Sequence, residues 1–169
     1  MLKMIGIVLV ISACGGVGFA IAAVHRREES SLRQLVSILD FMECELQYRL
    51  TPLPELCRLC SKEFPQMPGK VFAELATEME QQISPDVTYC MASVLNRMKD
   101  IPPITRKEFA LLGRTVGKFD LMGQLKGLEG VRQDCQLNLE RLANNRDNRL
   151  RSYQTLGLCA GAALAILLI

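Results

Sequence analysis

Ser30-Ser31-Leu32-Arg33-Gln34-Leu35-Val36-Ser37-Ile38-Leu39-Asp40-Phe41-Met42-Glu43-Cys44-Glu45-Leu46-Gln47-Tyr48-Arg49-Leu50 is the stretch that decides the fold class. Leu32, Leu35, Leu39, Met42 and Leu46 recur at spacings of three and four, the period that lines one face of an α-helix. Ser30 stands where an N-cap side chain would accept a hydrogen bond from the first turn. The pattern therefore predicts a long amphipathic helix from Ser30 to about Leu50, with one apolar stripe to bury.

Downstream, the same period returns between breaks. In Thr51-Pro52-Leu53-Pro54-Glu55, Thr51 is placed to cap a second helix and both prolines fall in its first turn, where a missing N–H costs little. Leu53, Leu56, Cys57 and Cys60 supply that helix's apolar side. The run Phe64-Pro65-Gln66-Met67-Pro68-Gly69 breaks the chain, and Phe72, Leu75, Ala76 and Met79 mark a third helix to about Gln82. Ser84-Pro85 opens a fourth, with Val87, Cys90, Met91, Val94 and Met98 on its buried side, and Pro102-Pro103 closes it.

Thr105-Arg106-Lys107-Glu108 has the form of a capping box and starts a fifth helix carrying Phe109, Leu112 and Val116. Gly117 is suited to the left-handed turn that ends it, and Asp120 caps the sixth. There Leu121, Leu125, Leu128, Cys135, Leu139 and Leu142 keep a seven-residue beat. With no proline after Pro103 this helix can continue to the end of the chain, although Asn144-Asn145-Arg146-Asp147-Asn148 is a weak patch for helix. No stretch alternates apolar and polar residues as a half-buried strand would. The fold class expected is all-α, an antiparallel bundle of about six helices built from hairpins.

Outward again, both ends of the chain are apolar. Met4–Val24 would reach roughly 31 Å as a helix, about the hydrocarbon thickness of a bilayer. Leu156–Ile169 is shorter, but no charge follows Arg151, and Ser152–Ile169 would supply roughly 27 Å. The expected organisation is a transmembrane helix over 1–25, a helical domain over 26–151 and a short transmembrane helix over 152–169. Arg26, Arg27 and Arg33 flank the first span on its inner side, and Arg141, Arg146, Arg149 and Arg151 precede the second. Positive charge accumulates on cytoplasmic flanks, so the central domain is expected to face the cytoplasm. Gly157, Gly161 and Ala165 place small residues every four positions in the second span, a pattern that lets membrane helices touch. Packing against the glycine-rich first span is the simplest use, and self-association into a homo-oligomer is the alternative. A competing reading of the N-terminus treats Ile11-Ser12-Ala13-Cys14 as a lipoprotein processing site, which would make the chain an exported, anchored lipoprotein or thiol protein. Against it, apolar sequence continues past Cys14 and the positive charges follow that run instead of preceding it.

Chemistry is sparse. A net charge of +2 with interleaved signs, and no tryptophan, argue against a nucleic-acid surface. The sole histidine, His25, excludes histidine triads and two-histidine metal sites within one chain. Cys57-Arg58-Leu59-Cys60 is a CxxC without the second pair a zinc site needs, and Cys57 lies past the helix's first turn, where a redox thiolate would not be stabilised. Cysteines in a cytoplasmic domain stay reduced, so buried small apolar residues is the reading taken. Glu43 and Glu45 are two apart and point in different directions on a helix, while Glu45 can pair with Arg49 four residues on. No Gly-Lys-Ser/Thr phosphate loop is present. The expectation is a non-enzyme without cofactor or metal. Gly113/Gly117 and Gly123/Gly127 are each four apart and leave a bare strip on a helix face, either to shape the corner between helices five and six or to admit another helix.

Several of these segments together resemble the stage III sporulation protein AB family of endospore-forming bacteria. The resemblance runs end to end, through Met1-Leu2-Lys3, the run Leu39–Glu55 with Glu43, Glu45, Tyr48 and Thr51-Pro52-Leu53-Pro54-Glu55, the corner Leu112-Gly113…Gly117…Asp120…Gln124, and the closing Leu156-Gly157-Leu158…Gly161. It implies a mother-cell membrane protein acting with sporulation-channel membrane proteins and a secretion-type cytoplasmic ATPase. It also implies a helical domain similar to the cytoplasmic domains of the type II secretion F platform protein. On that resemblance Thr51, Pro52 and Pro54 set a hairpin, and Gly117, Asp120 and Gln124 fix a corner. Glu43, Glu45, Tyr48 and Glu55 are then the candidates for partner contact.

Overall fold

A computed structural model describes the backbone of residues 2–81, 86–117 and 120–168, and the side chains of 23–81, 86–117 and 120–144. The described residues form six helices and no strand: α1 Leu2–Arg49, α2 Leu53–Glu63, α3 Met67–Glu80, α4 Val87–Arg97, α5 Pro103–Thr115 and α6 Leu121–Leu168. The all-helical expectation holds, and the helix starts are where it needs correction.

Ser30 caps nothing, because α1 runs without interruption from Leu2. Neither glycine nor proline stands between Val24 and Leu32, so each N–H there keeps its carbonyl four residues back and no cap is needed. Pro52, not Thr51, is the N-cap of α2, with Pro54 in its first turn. Pro68 and Gly69 belong to α3 and do not break the chain before it. Ser84-Pro85 lies outside the described residues, and α4 is capped by Asp86, whose carboxylate accepts from the Thr88 N–H at 2.9 Å. Pro102 and Pro103 open α5; α4 has already ended at Arg97. The expected capping box is consequently shifted inside α5, and the unsatisfied first-turn N–H of Thr105 is met from another helix. Glu28 Oε1 of α1 accepts from that N–H at 2.8 Å and from the Thr105 hydroxyl at 3.0 Å. The asparagine patch does not interrupt α6.

α2 pairs with α3, α4 with α5, and α1 with α6. Asp40 of α1 meets Arg132 of α6, and Arg132 also holds Glu129. Nearer the outer ends of those two helices, α5 links both: Thr105 to Glu28, and Glu108 to Asn138, whose amide donates at 3.0 Å. Rising numbers along α1 thus meet falling numbers along α6, so the two are antiparallel. The stripe of Leu32, Leu35, Leu39, Met42 and Leu46 is buried as predicted, together with Ile38, which completes it. At its centre Phe72 of α3 and Phe109 of α5 pack edge to face with ring centroids 5.6 Å apart. Burying each such ring stabilises the fold by roughly 2–3 kcal/mol.

Among the described residues no helix is long and apolar enough to cross a membrane. The stretches expected to do so, Met4–Val24 and Leu156–Ile169, lie outside the described side chains except at Ala23 and Val24. Gly157, Gly161 and Ala165 lie there too, so their packing role is not described.

Candidate functional site: the corner end of the bundle

Antiparallel pairing brings the end of α1 and the start of α6 to one end of the bundle. The corner between α5 and α6 joins them there. Gly117 has φ +87°, the left-handed conformation its position requires, and a β-carbon on it would lie 2.7 Å from Val87 Cγ2 and 3.6 Å from Leu53 Cδ2. The starts of α2 and α4 therefore abut the corner. Two motifs more than sixty residues apart, Thr51–Glu55 and Gly117–Gln124, meet through this contact.

Local chemistry holds each part. Asp120 accepts from the Gly123 N–H at 3.0 Å through its carboxylate, and its carbonyl receives the Gln124 N–H at 2.9 Å, so Asp120 starts α6 as predicted. Glu45 is 9 % exposed and turned inward. One of its oxygens accepts from the Thr51 hydroxyl at 3.2 Å and the other pairs with Arg49 at 3.2 Å. Its carboxylate fastens the α1–α2 turn, and Thr51 acts through that bond. Glu43 is half-buried, whereas Tyr48 and Glu55 are exposed.

The helix ends that meet here carry large apolar side chains exposed to solvent. Tyr48 is 78 % exposed, Leu50 66 %, Met122 72 %, and Tyr89 in the first turn of α4 66 %. Leu121, expected in the core from its heptad position, is also exposed, because it begins α6 before that helix reaches the bundle. Leu50 is the described non-glycine residue with positive φ, at 53°. Holding a leucine in that region costs roughly 1–2 kcal/mol, and here the side chain recovers little of it by burial. The exposed Leu50 could have been flagged from sequence by the absence of glycine where α1 must end.

The glycine pairs shape the molecule from within. A β-carbon on Gly113 would lie 2.6 Å from Met91 Cβ, and one on Gly127 would lie 1.8 Å from Thr115 Cγ2. Gly127 lets α6 approach α5 near the corner, whereas Gly113 lets α5 approach α4.

The described cysteines differ in exposure. Cys57, Cys60, Cys90 and Cys135 are buried and Cys44 is exposed. Burial, and secondarily the neighbouring Cys60, pushes the Cys57 thiol far above its ordinary value, while burial raises Cys60 to about 12. Such thiols are poor nucleophiles and poor metal ligands. No group of three or more metal-ligating side chains occurs among the described residues. A small apolar cavity lies between Met42, Cys57, Phe72, Met91 and Leu112, with no polar group to orient a ligand.

The described residues define an all-helical protein whose two hairpins are held between long antiparallel helices, with large apolar side chains exposed at its corner end. The chain belongs to the Stage III sporulation protein AB family, whose sequence profile matches residues 3–169. It is 23 % identical over 171 residues to Stage III sporulation protein AB of Bacillus subtilis (strain 168), covering 99 % of each chain. Its fold is similar to a solved structure of Stage III sporulation protein AB, with a TM-score of 0.60 and 17 % identity over 72 % of this chain and 98 % of the other.

Proposed function

We propose that this chain is a non-enzymatic membrane platform of a sporulation channel complex between mother cell and forespore, and that its corner end docks a cytoplasmic secretion-type ATPase. The exposed apolar side chains of this end, a strained Leu50 among them, are the observation that carries the reading. A leucine kept in a left-handed turn and in solvent, two residues after the exposed Tyr48, gains little for an isolated chain and is useful for a partner. The terminal apolar stretches anchor the molecule in the mother-cell membrane, with basic inner flanks keeping the bundle cytoplasmic. In that arrangement the corner is the part farthest from the bilayer, where a soluble motor reaches it unhindered. Glu43 and Glu55 rim the surface and supply its polar contacts.

Full-length protein in detergent, used to capture the purified family ATPase, tests this. Leu50→Asp and Met122→Asp should each reduce capture about tenfold or more, as losing a central apolar contact does, without lowering the melting temperature by more than a few degrees. Capture unchanged in both folded variants would overturn the docking surface. Orientation is read separately from Cys44, the exposed thiol, because the buried Cys57 resists labelling on either side of a membrane. An impermeant maleimide should label Cys44 only after lysis.

A further inference from the structure

Midway along α5, away from the corner, lies a carboxyl group that the docking reading does not use. Glu108 is 2 % exposed, wedged between α5 and α6. Its Oε1 accepts one hydrogen bond, from Asn138, and its Oε2 has no partner. The charged groups that act on it are Asp134 of α6, which repels an anion, and Lys107 on α5 itself, which attracts one weakly from an exposed position. From α1, Glu28 occupies Thr105 one turn earlier and brings another negative charge toward the same end. The Cys135 thiol belongs to the same seam and is buried as well. An ionised carboxylate in such a site lacks solvent, lacks a full set of donors and faces acidic neighbours.

We propose that Glu108 is a proton-operated latch on the α5–α6 seam: the neutral carboxyl lets the seam close, and the carboxylate loosens it. The seam runs from Asn138 toward Gly127 against Thr115, so loosening it parts α5 from α6 while α1 still holds α6. Burial chiefly, and Asp134 next, raise the affinity of Glu108 for its proton above the ordinary carboxylate value of 4.5. The folded chain therefore keeps a proton that the unfolded chain has released. Stability from this site is full below the ordinary value, falls as pH rises through the raised folded value, and is level beyond it. The latch is independent of which partner occupies the corner.

Labelling of Cys135 relative to Cys44 in the full chain in detergent, from pH 4.5 to 8, reads the seam directly. The exposed Cys44 corrects for the reagent's own pH dependence. The ratio should rise severalfold with pH in the wild type and stay level in Glu108→Gln, which keeps the acceptor for Asn138 without ionising. Asp134→Asn should move the rise to lower pH. The melting temperature gives a second measure, with Glu108→Gln exceeding wild type by a few degrees at neutral pH and by less at pH 4.5. A ratio that is level in wild type, or that rises equally in Glu108→Gln, would overturn the latch.

Discussion

Leu50 holds a left-handed backbone with its side chain in solvent. Glycine adopts that conformation freely, at some cost in chain entropy, so Leu50→Gly should raise stability by about 0.5–1 kcal/mol in urea unfolding. The same change should weaken ATPase capture. A variant that is more stable and less competent would separate the fold's needs from the partner's. Glu45 is the counterpart, a polar residue whose obligations are internal. Glu45→Ala leaves the Thr51 hydroxyl and Arg49 without their acceptor and should cost about 1–2 kcal/mol, measured by the same unfolding curves. The sequence offers Glu45 as a surface carboxylate for Arg49 or a partner and Leu50 only as the end of a helix. Only the turn of the chain after Arg49, which a helical period does not encode, tells which side chain swings inward.

At the scale of the elements, helix positions were legible and helix starts were less so. Asp86 and Asp120 work through N–H groups two and three residues away, so both caps are local; Asp120 stands alone before its helix, whereas Asp86 follows a Ser84-Pro85 pair that carries a start signal of its own. The cap on α5 was not readable, since the Thr105 N–H is answered by Glu28, 77 residues earlier. Glu28→Ala should cost about 1–2 kcal/mol, as losing an N-cap does, and should speed amide exchange in the first turn of α5 before the rest of the bundle. The glycines divide in the same way. Spacing alone marked a bare strip, yet Gly127 faces Thr115 closely while a β-carbon on Gly130 would meet nothing within 4 Å. Gly127→Ala should destabilise by about 1–3 kcal/mol through overpacking, and Gly130→Ala should stabilise by up to about 1 kcal/mol through helix propensity. Thermal melts of the two variants should shift in opposite directions.

For the whole molecule, the family resemblance visible in the sequence is confirmed by the profile match over residues 3–169. The corner where its two best motifs meet required the fold, because the contact of Gly117 with Leu53 and Val87 joins segments whose separation no local pattern spans. The pairing of α1 with α6 has a temporal consequence. Asp40 and Arg132 are 92 residues apart, so α1 finds its main partner only when α6 emerges from the ribosome. The α2–α3 and α4–α5 pairs are neighbours in sequence and can assemble during synthesis. Until α6 arrives, the leucine stripe of α1 has one flank uncovered. The chain is born open and is closed by its own tail.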